Sequence, residues 1–238
     1  MQIGNGTLHL GDCLDVMRAM PSESVDLIAS DPPYRVISGG TKSTLAAGWR
    51  TSVLAKNDGK IFTHNNITFA DYLPEFYRLL KPGSHLYLMT NNLNLKDALI
   101  EIERVGFHFH NLLRWDKNNK TANRWYMKDC EYTIFAAKRP VKSITHMGSK
   151  QGFAFDNPRD KRHPTEKPVE LMEHYILNSS APGDVVLDPF VGCGTTALAA
   201  ERTGRRWIAI EQDEEYFNTA LGRLYLDTTV TPRYTREP

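Results

Sequence analysis

Two short stretches carry side chains whose types and spacing suit chemistry on a bound molecule. The first is Asp31-Pro32-Pro33-Tyr34, which ends an apolar run beginning at Ser24. Neither proline offers an N–H, and Pro33 biases Pro32 towards extended backbone, so the segment is stiff and its carbonyls are left to accept bonds from elsewhere. The carboxylate of Asp31 and the carbonyl of Pro32 together can receive both hydrogens of an exocyclic nucleobase amine, while the ring of Tyr34 stacks on the base. Such an amine is a poor nucleophile because its lone pair is delocalised into the ring. Two acceptors on its hydrogens favour a pyramidal nitrogen, aim the localised lone pair at an electrophile and stabilise the positive charge that develops. Taken alone, the same four residues also make a stiff turn with a helix-capping aspartate.

The second stretch is Asp188-Pro189-Phe190-Val191-Gly192-Cys193-Gly194-Thr195-Thr196. Gly192 and Gly194 allow a tight turn and a close approach of backbone to a ligand, with Thr195 at the start of a helical pattern. Gly192, Gly194 and Ala197 also match the relaxed dinucleotide fingerprint, and Glu211 ends the next apolar run, where it is placed to grip a ribose diol. An NAD site therefore competes with other nucleoside ligands. Asp188 argues against NAD, since a carboxylate at the mouth of the loop suits ammonium and sulfonium charges better than a pyrophosphate.

Both stretches need strands to deliver them. Residues 24–30, 83–90, 108–115, 130–138, 185–189 and 206–211 read as strands, and 69–83, 94–107, 168–184, 195–204 and 213–226 as helices, with Pro82-Gly83 closing the first helix. This alternation predicts an α/β, Rossmann-like fold with a mainly parallel sheet and helices on both faces. In a parallel sheet each strand hands its following loop to the same carboxyl edge. The two stretches meet in one crevice if their strands are neighbours.

The chain has 238 residues, enough for a full core, and reads as one domain over residues 1–226 with a frayed tail over 227–238. A net charge of +1 gives no global field, so any polyanion surface must come from local clusters. Three scattered cysteines without a C-x-x-C pair argue against a disulfide framework or a zinc site. No metal-ligand cluster is evident. The sequence shows neither a membrane-length apolar run nor a signal-peptide pattern, which points to the cytoplasm.

With these residues in view, the sequence resembles the S-adenosylmethionine-dependent amino-methyltransferases of DNA, over roughly residues 8–224. The order, Asp-Pro-Pro-Tyr before the Phe190-x-Gly192-x-Gly194 loop, is similar to the β-group of that family. The resemblance implies that Asp12 and Cys13 lie where the cofactor adenine is held, and that Thr165 and Lys167 lie where its methionine end is bound. It further implies that Phe190 packs near the cofactor, that Gly192, Gly194 and Thr195 wrap the methionine moiety close to Asp188, and that Glu211 takes the ribose hydroxyls. The family uses Asp-Pro-Pro-Tyr mostly for adenine N6, so Asp31 favours adenine in double-stranded DNA. Cytosine N4 methylation, methylation of an RNA amine and a catalytically silent nucleic-acid-binding protein are the alternatives. Members of this group also imply a homodimer and a cognate restriction enzyme, though no sequence feature specifies either.

Three basic, irregular segments suit DNA. Residues 139–167 carry Arg139, Lys142, Lys150, Arg159, Lys161 and Arg162 with Phe153 and Phe155 between them, in the interval where the family places target recognition. Residues 114–128 mix Arg114, Lys117 and Arg124 with Trp115 and Trp125, which suits either phosphate contact or anchoring of a loop on the core. Residues 35–60 follow the Asp-Pro-Pro-Tyr turn with Arg35 and are expected to be mobile until they order over a bound base.

Overall fold

The computed structural model describes residues 1–33, 67–121, 126, 128–158 and 166–228. Among the described residues nine strands share one sheet: β1 (Gln2–Ile3), β2 (Gly6–Leu10), β3 (Val25–Ser30), β4 (Leu80–Thr90), β5 (His108–Thr121), β6 (Lys128–Ala137), β7 (Gly152–Ala154), β8 (Val185–Asp188) and β9 (Arg206–Glu211). Their order is β1-β2-β9-β8-β3-β4-β6-β5-β7. From β2 to β4 all neighbours are parallel, β6 runs antiparallel to β4 and β5, and β7 is parallel to β5. This is the α/β class expected. Strands β3 and β8 are buried almost throughout, which is why they read as continuous apolar runs rather than as alternating ones.

The helices α1 (Cys13–Ala19), α2 (Phe69–Leu79) and α3 (Leu95–Val105) cover one face, contributing Met17, Tyr72, Phe76 and Ile102 to its core. Helices α4 (Val169–Ser179), α5 (Thr195–Arg202) and α6 (Glu214–Thr228) cover the other with Leu171, Tyr175, Ala200 and Leu224. None of the described helices is long and apolar enough to cross a membrane.

Several local expectations change. Helix α2 stops at Leu79 and β4 begins at the next residue, so Pro82-Gly83 lies inside the strand rather than closing the helix. A register shift between Val25 and Leu27 absorbs Lys81 to Ser84, and such an irregularity tolerates a proline without an N–H. Strand β7 forms within the segment read as irregular, pairing Phe153 with Trp115. Helix α6 runs to Thr228, past the expected start of the tail, and Asp227 accepts from Arg202 Nε at 3.3 Å. The expectations for residues 35–60 and for 229–238 lie outside the described residues.

Candidate active site

Strands β3 and β8 are direct neighbours, pairing Leu27 with Val186 and Ile28 with Leu187. Because they run parallel, Asp31 and Asp188 emerge at the same sheet edge. The two chain segments touch there, with the buried Ser30 hydroxyl donating to Asp188 Oδ1 at 2.6 Å. A crevice opens between them, lined by Asp31, Glu166, Lys167, Asp188, Phe190 and Gly192 among others. Next along the sheet come β9 and β2. Their register pairs Leu10 with Glu211, and Gly11 N–H donates to the Glu211 carbonyl at 2.9 Å, so Asp12 and Cys13 follow at the same edge.

The glycine loop is held from several sides. Asp188 Oδ1 accepts from Phe190 N–H at 3.1 Å, and Val191 N–H donates to Ile210 O at 3.1 Å. Glu211 Oε2 accepts from Gly192 N–H at 2.8 Å, and Oε1 accepts from the N–H groups of Gln212 and Asp213, each at 2.9 Å. Gly194 has φ +86°, and a Cβ there would sit 3.2 Å from that of Ala220 in α6, so both conformation and packing demand glycine. Phe190 packs edge-on against Tyr72 with ring centroids 5.2 Å apart.

Two residues that sequence reasoning missed clamp this loop. Arg223 of α6, 9% exposed, donates through Nη1 to Cys193 O at 3.2 Å and Thr195 Oγ1 at 3.1 Å, and pairs with the buried Glu166 Oε1 at 3.0 Å. The only sequence signal for Glu166 was its place between Thr165 and Lys167. Arg223 gave none, being one cation on a helix whose contacts only the fold reveals.

The electrostatics favour a cationic ligand. Burial pushes the Asp188 carboxyl up to about 6, against the bonds donated by Ser30, Thr196 and Phe190 N–H. Burial also raises Glu211, partly offset by the N–H groups of Asp213, Gly192 and Gln212. Neither carboxylate has a Lys or Arg ion pair among the described residues, so both are desolvated anions awaiting a counter-charge. The Cys13 thiol is pushed up to about 12 by burial and then by Asp12 and Glu211, which makes it an inert thiol. Asp12 caps α1, its Oδ1 accepting from Leu14 N–H at 2.7 Å and Asp15 N–H at 3.3 Å.

Lys167 lines the crevice and also engages the Asp31 side of it. Its Nζ bonds Asp31 Oδ2 and lies 3.3 Å from Glu131 Oε2, while Lys117 Nζ bonds Glu131 Oε1. Glu131 reaches this edge because β6 starts there, its Tyr132 paired with Thr90 at the end of β4. Burial opposes the charge on Glu131, yet Lys167 and Lys117 outweigh it and hold the carboxyl at about 2. Tyr34 and Thr165 lie outside the described residues.

Of the basic residues expected at DNA, Arg35, Arg124, Arg159, Lys161 and Arg162 also lie outside them. Arg114 is exposed on β5 with its Nε 2.7 Å from Asp116 Oδ1, Lys117 is engaged by Glu131, and Lys150 is exposed two residues before β7. Arg139 and Lys142 do not belong with the others. Strand β6 carries the chain back across the sheet, so Lys138 O accepts from Gly83 N–H at 2.9 Å at the amino edge. That is roughly 17 Å along β4 from Leu88, the partner of Ser30, at about 3.4 Å per residue. There Arg139 Nη2 lies 3.1 Å from His108 Nδ1, and Lys142 O accepts from His85 Nε2 at 2.9 Å. The aromatic residues of these segments serve the core as well. Trp115 is 1% exposed and donates to Phe155 O at 2.8 Å, and Phe153 packs against His174.

Comparison with known proteins agrees with this geometry. The DNA methylase family model matches residues 25–222. The chain is 30% identical over 241 residues to the Type II methyltransferase M2.DpnII of Streptococcus pneumoniae, spanning 90% of this chain and 87% of the relative. Its fold is similar to that in the M1.HpyAVI–SAM complex, with a TM-score of 0.69, 24% identity and coverage of 92% of this chain and 99% of that one. It is also similar to the cytosine-N4-specific PvuII DNA methyltransferase, with a TM-score of 0.71, 20% identity and coverage of 95% and 93%.

Proposed function

The chain belongs to the DNA methylase family, and on that premise we propose that it transfers a methyl group from S-adenosylmethionine to the exocyclic N6 amine of adenine in double-stranded DNA. The observation that carries this reading is the pairing of β3 with β8, which makes the Asp31 turn and the glycine loop two walls of one crevice. The residues present fit the cofactor. Two desolvated carboxylates, Asp188 and Glu211, suit a ligand that bears sulfonium and ammonium charges and a ribose diol. A nicotinamide dinucleotide, with its anionic pyrophosphate, finds the wrong charge at Asp188.

We assign the ribose to Glu211 and the adenine end to the neighbourhood of Asp12 and Cys13. The methionine end goes to Asp188, Gly192, Gly194, Thr195 and the segment containing Thr165 and Lys167, with Phe190 packing alongside. Bound S-adenosylmethionine supplies the electrophile, a methyl group on positively charged sulfur that is open to direct in-line displacement. The protein's part is to orient the amine. Asp31 and the Pro32 carbonyl receive its two hydrogens, Tyr34 stacks on the base, and the base must leave the duplex to reach them. Stabilisation of the developing ammonium by these acceptors lowers the barrier, and the proton leaves along the hydrogen bonds they make.

DNA phosphates meet Arg114 and Lys150 together with Arg35, Arg124, Arg159, Lys161 and Arg162; Arg139 and Lys142, at the far edge, are not part of that surface. Asp rather than Ser before Pro-Pro-Tyr is the ground for adenine over cytosine. The same reading extends to a cytoplasmic setting, a cognate restriction endonuclease and a homodimer.

The test is transfer from labelled S-adenosylmethionine to unmethylated duplex DNA, digestion to nucleosides and identification of the product by mass. N6-methyladenine is the expected product. N4-methylcytosine would retain the chemistry and overturn the reading of Asp31, and no product on DNA would overturn the proposed activity.

A further inference from the structure

Lys167 is held between two carboxylates from distant parts of the chain, Asp31 after β3 and Glu131 in β6, and its side chain is 10% exposed. Glu131 is gripped in turn by Lys117 of β5, so charges alternate along Asp31, Lys167, Glu131 and Lys117. Of these four only Asp31 touches the target amine in the proposed reaction, and Glu131 and Lys117 have no part in it. An ammonium held by Asp31 alone would follow that carboxylate as it rotates, because Lys carries a compact charge on a flexible stem. A second carboxylate, fixed on a sheet strand that is bonded along its length to β4 and β5, removes that freedom. With Oδ2 of Asp31 tied to Lys167, the plane of the carboxylate is set, and with it the direction of Oδ1.

We infer that Glu131 is a positioning residue for methyl transfer: acting through Lys167, it fixes the Asp31 carboxylate in the orientation that receives the target amine. This rests on the reading of Asp31 given above. The arrangement also governs charge. The groups facing Lys167 and its partners are Asp31 after β3, Asp188 of β8, Lys117 of β5 and Glu131 of β6, with the phenols of Tyr72 in α2 and Tyr175 in α4. Both phenols are raised, mainly by burial, and stay neutral. Burial acts to lower Lys167, but the carboxylates of Asp31 and Glu131 outweigh it and raise it. Without Glu131 one carboxylate remains, and the ammonium keeps its bond to Asp31 with no second, fixed anchor.

The experiment measures single-turnover methyl transfer to unmethylated duplex DNA, and S-adenosylmethionine affinity by titration, for wild type, Asp31→Ala, Glu131→Gln and Glu131→Asp. Glu131→Gln is expected to lower the rate constant about 100-fold, the scale of a small misplacement of a catalytic group, with cofactor Kd within about threefold. Glu131→Asp keeps the charge but retracts it, and should recover about tenfold of that loss. A wild-type rate in Glu131→Gln, or a loss confined to cofactor Kd, would overturn the inference. Should that variant fail to fold, Glu131→Asp decides: a wild-type rate refutes the inference, and about a tenfold loss at unchanged Kd supports it. An active Asp31→Ala would instead sink the reading of Asp31, and this inference with it.

Discussion

Asp188 offers a quantitative test because its two duties conflict. It is 4% exposed, and burial lifts its carboxyl from 3.8 to about 6. A rise of about two pH units at ~1.4 kcal/mol each means that the ionised group destabilises the ligand-free fold by about 3 kcal/mol. The folded value lies above the unfolded one, so this penalty is absent below pH 3.8, grows between 3.8 and about 6, and is complete above that. In Asp188→Asn the amide oxygen can still accept from the Ser30 hydroxyl and the Phe190 N–H, both of which use Oδ1. The variant should therefore be more stable than wild type at pH 7.5, by at most about 3 kcal/mol, which corresponds to about 6–12 °C in Tm for a chain of this size. The gain should fade as pH drops to about 4. Affinity for S-adenosylmethionine should weaken about 10- to 100-fold, since a charged partner is lost. Thermal denaturation at several pH values, with and without saturating cofactor, measures both effects, and cofactor should raise the Tm of wild type more than that of the variant. A variant that is less stable at pH 7.5, or a gain that does not vary with pH, would refute the view of Asp188 as a desolvated anion awaiting a cation.

Asp31→Ala should reduce methyl transfer at least about 1,000-fold while leaving cofactor Kd within about threefold, because it removes an acceptor that acts on the amine and not on the cofactor; titration and single-turnover rates separate the two. Glu211→Ala should weaken S-adenosylmethionine about tenfold or more and also lower Tm, since three backbone N–H groups lose their acceptor at a cost of about 1–3 kcal/mol each where buried. Unchanged affinity would rule out the ribose assignment. Gly194→Ala forces a side chain into left-handed backbone at about 1–2 kcal/mol and sets its Cβ against Ala220, so both Tm and cofactor affinity should fall.

The fold class was legible because β3, β8 and β9 are short apolar runs separated by helical patterns, and that alternation leaves few alternatives. Boundaries were less so. Pro82-Gly83 reads locally as a helix stop, yet the register shift against β3 places it within a strand. Strand β7 has only three residues, Phe153 flanked by the poor strand formers Gly152 and Ala154, and it exists because the edge of β5 offers hydrogen bonds to it. Trp115 beside its basic neighbours suits either phosphate contact or anchoring on the core, and only the fold shows it buried in the core with Phe153 partly buried against it.

At the site, residue type and spacing alone singled out the groups to which we assign the chemistry: a stiff acceptor turn at Asp31, a glycine loop opened by Asp188, and an acid at Glu211 proposed to take the ribose. These are local signals, since backbone freedom, missing N–H groups and charge are properties of the residues themselves. Tertiary structure decided which groups meet. Adjacency of β3 and β8 depends on the order of strands in the sheet, which no local pattern encodes. The antiparallel return of β6 brings Glu131 to Lys167 and carries Arg139 and Lys142 away from the crevice. Arg223 reaches the glycine loop only because α6 packs on α5 with no side chain at Gly194 between them. Ion pairs between residues far apart in sequence are consequences of packing, so the chain states their members while only the fold states their partners.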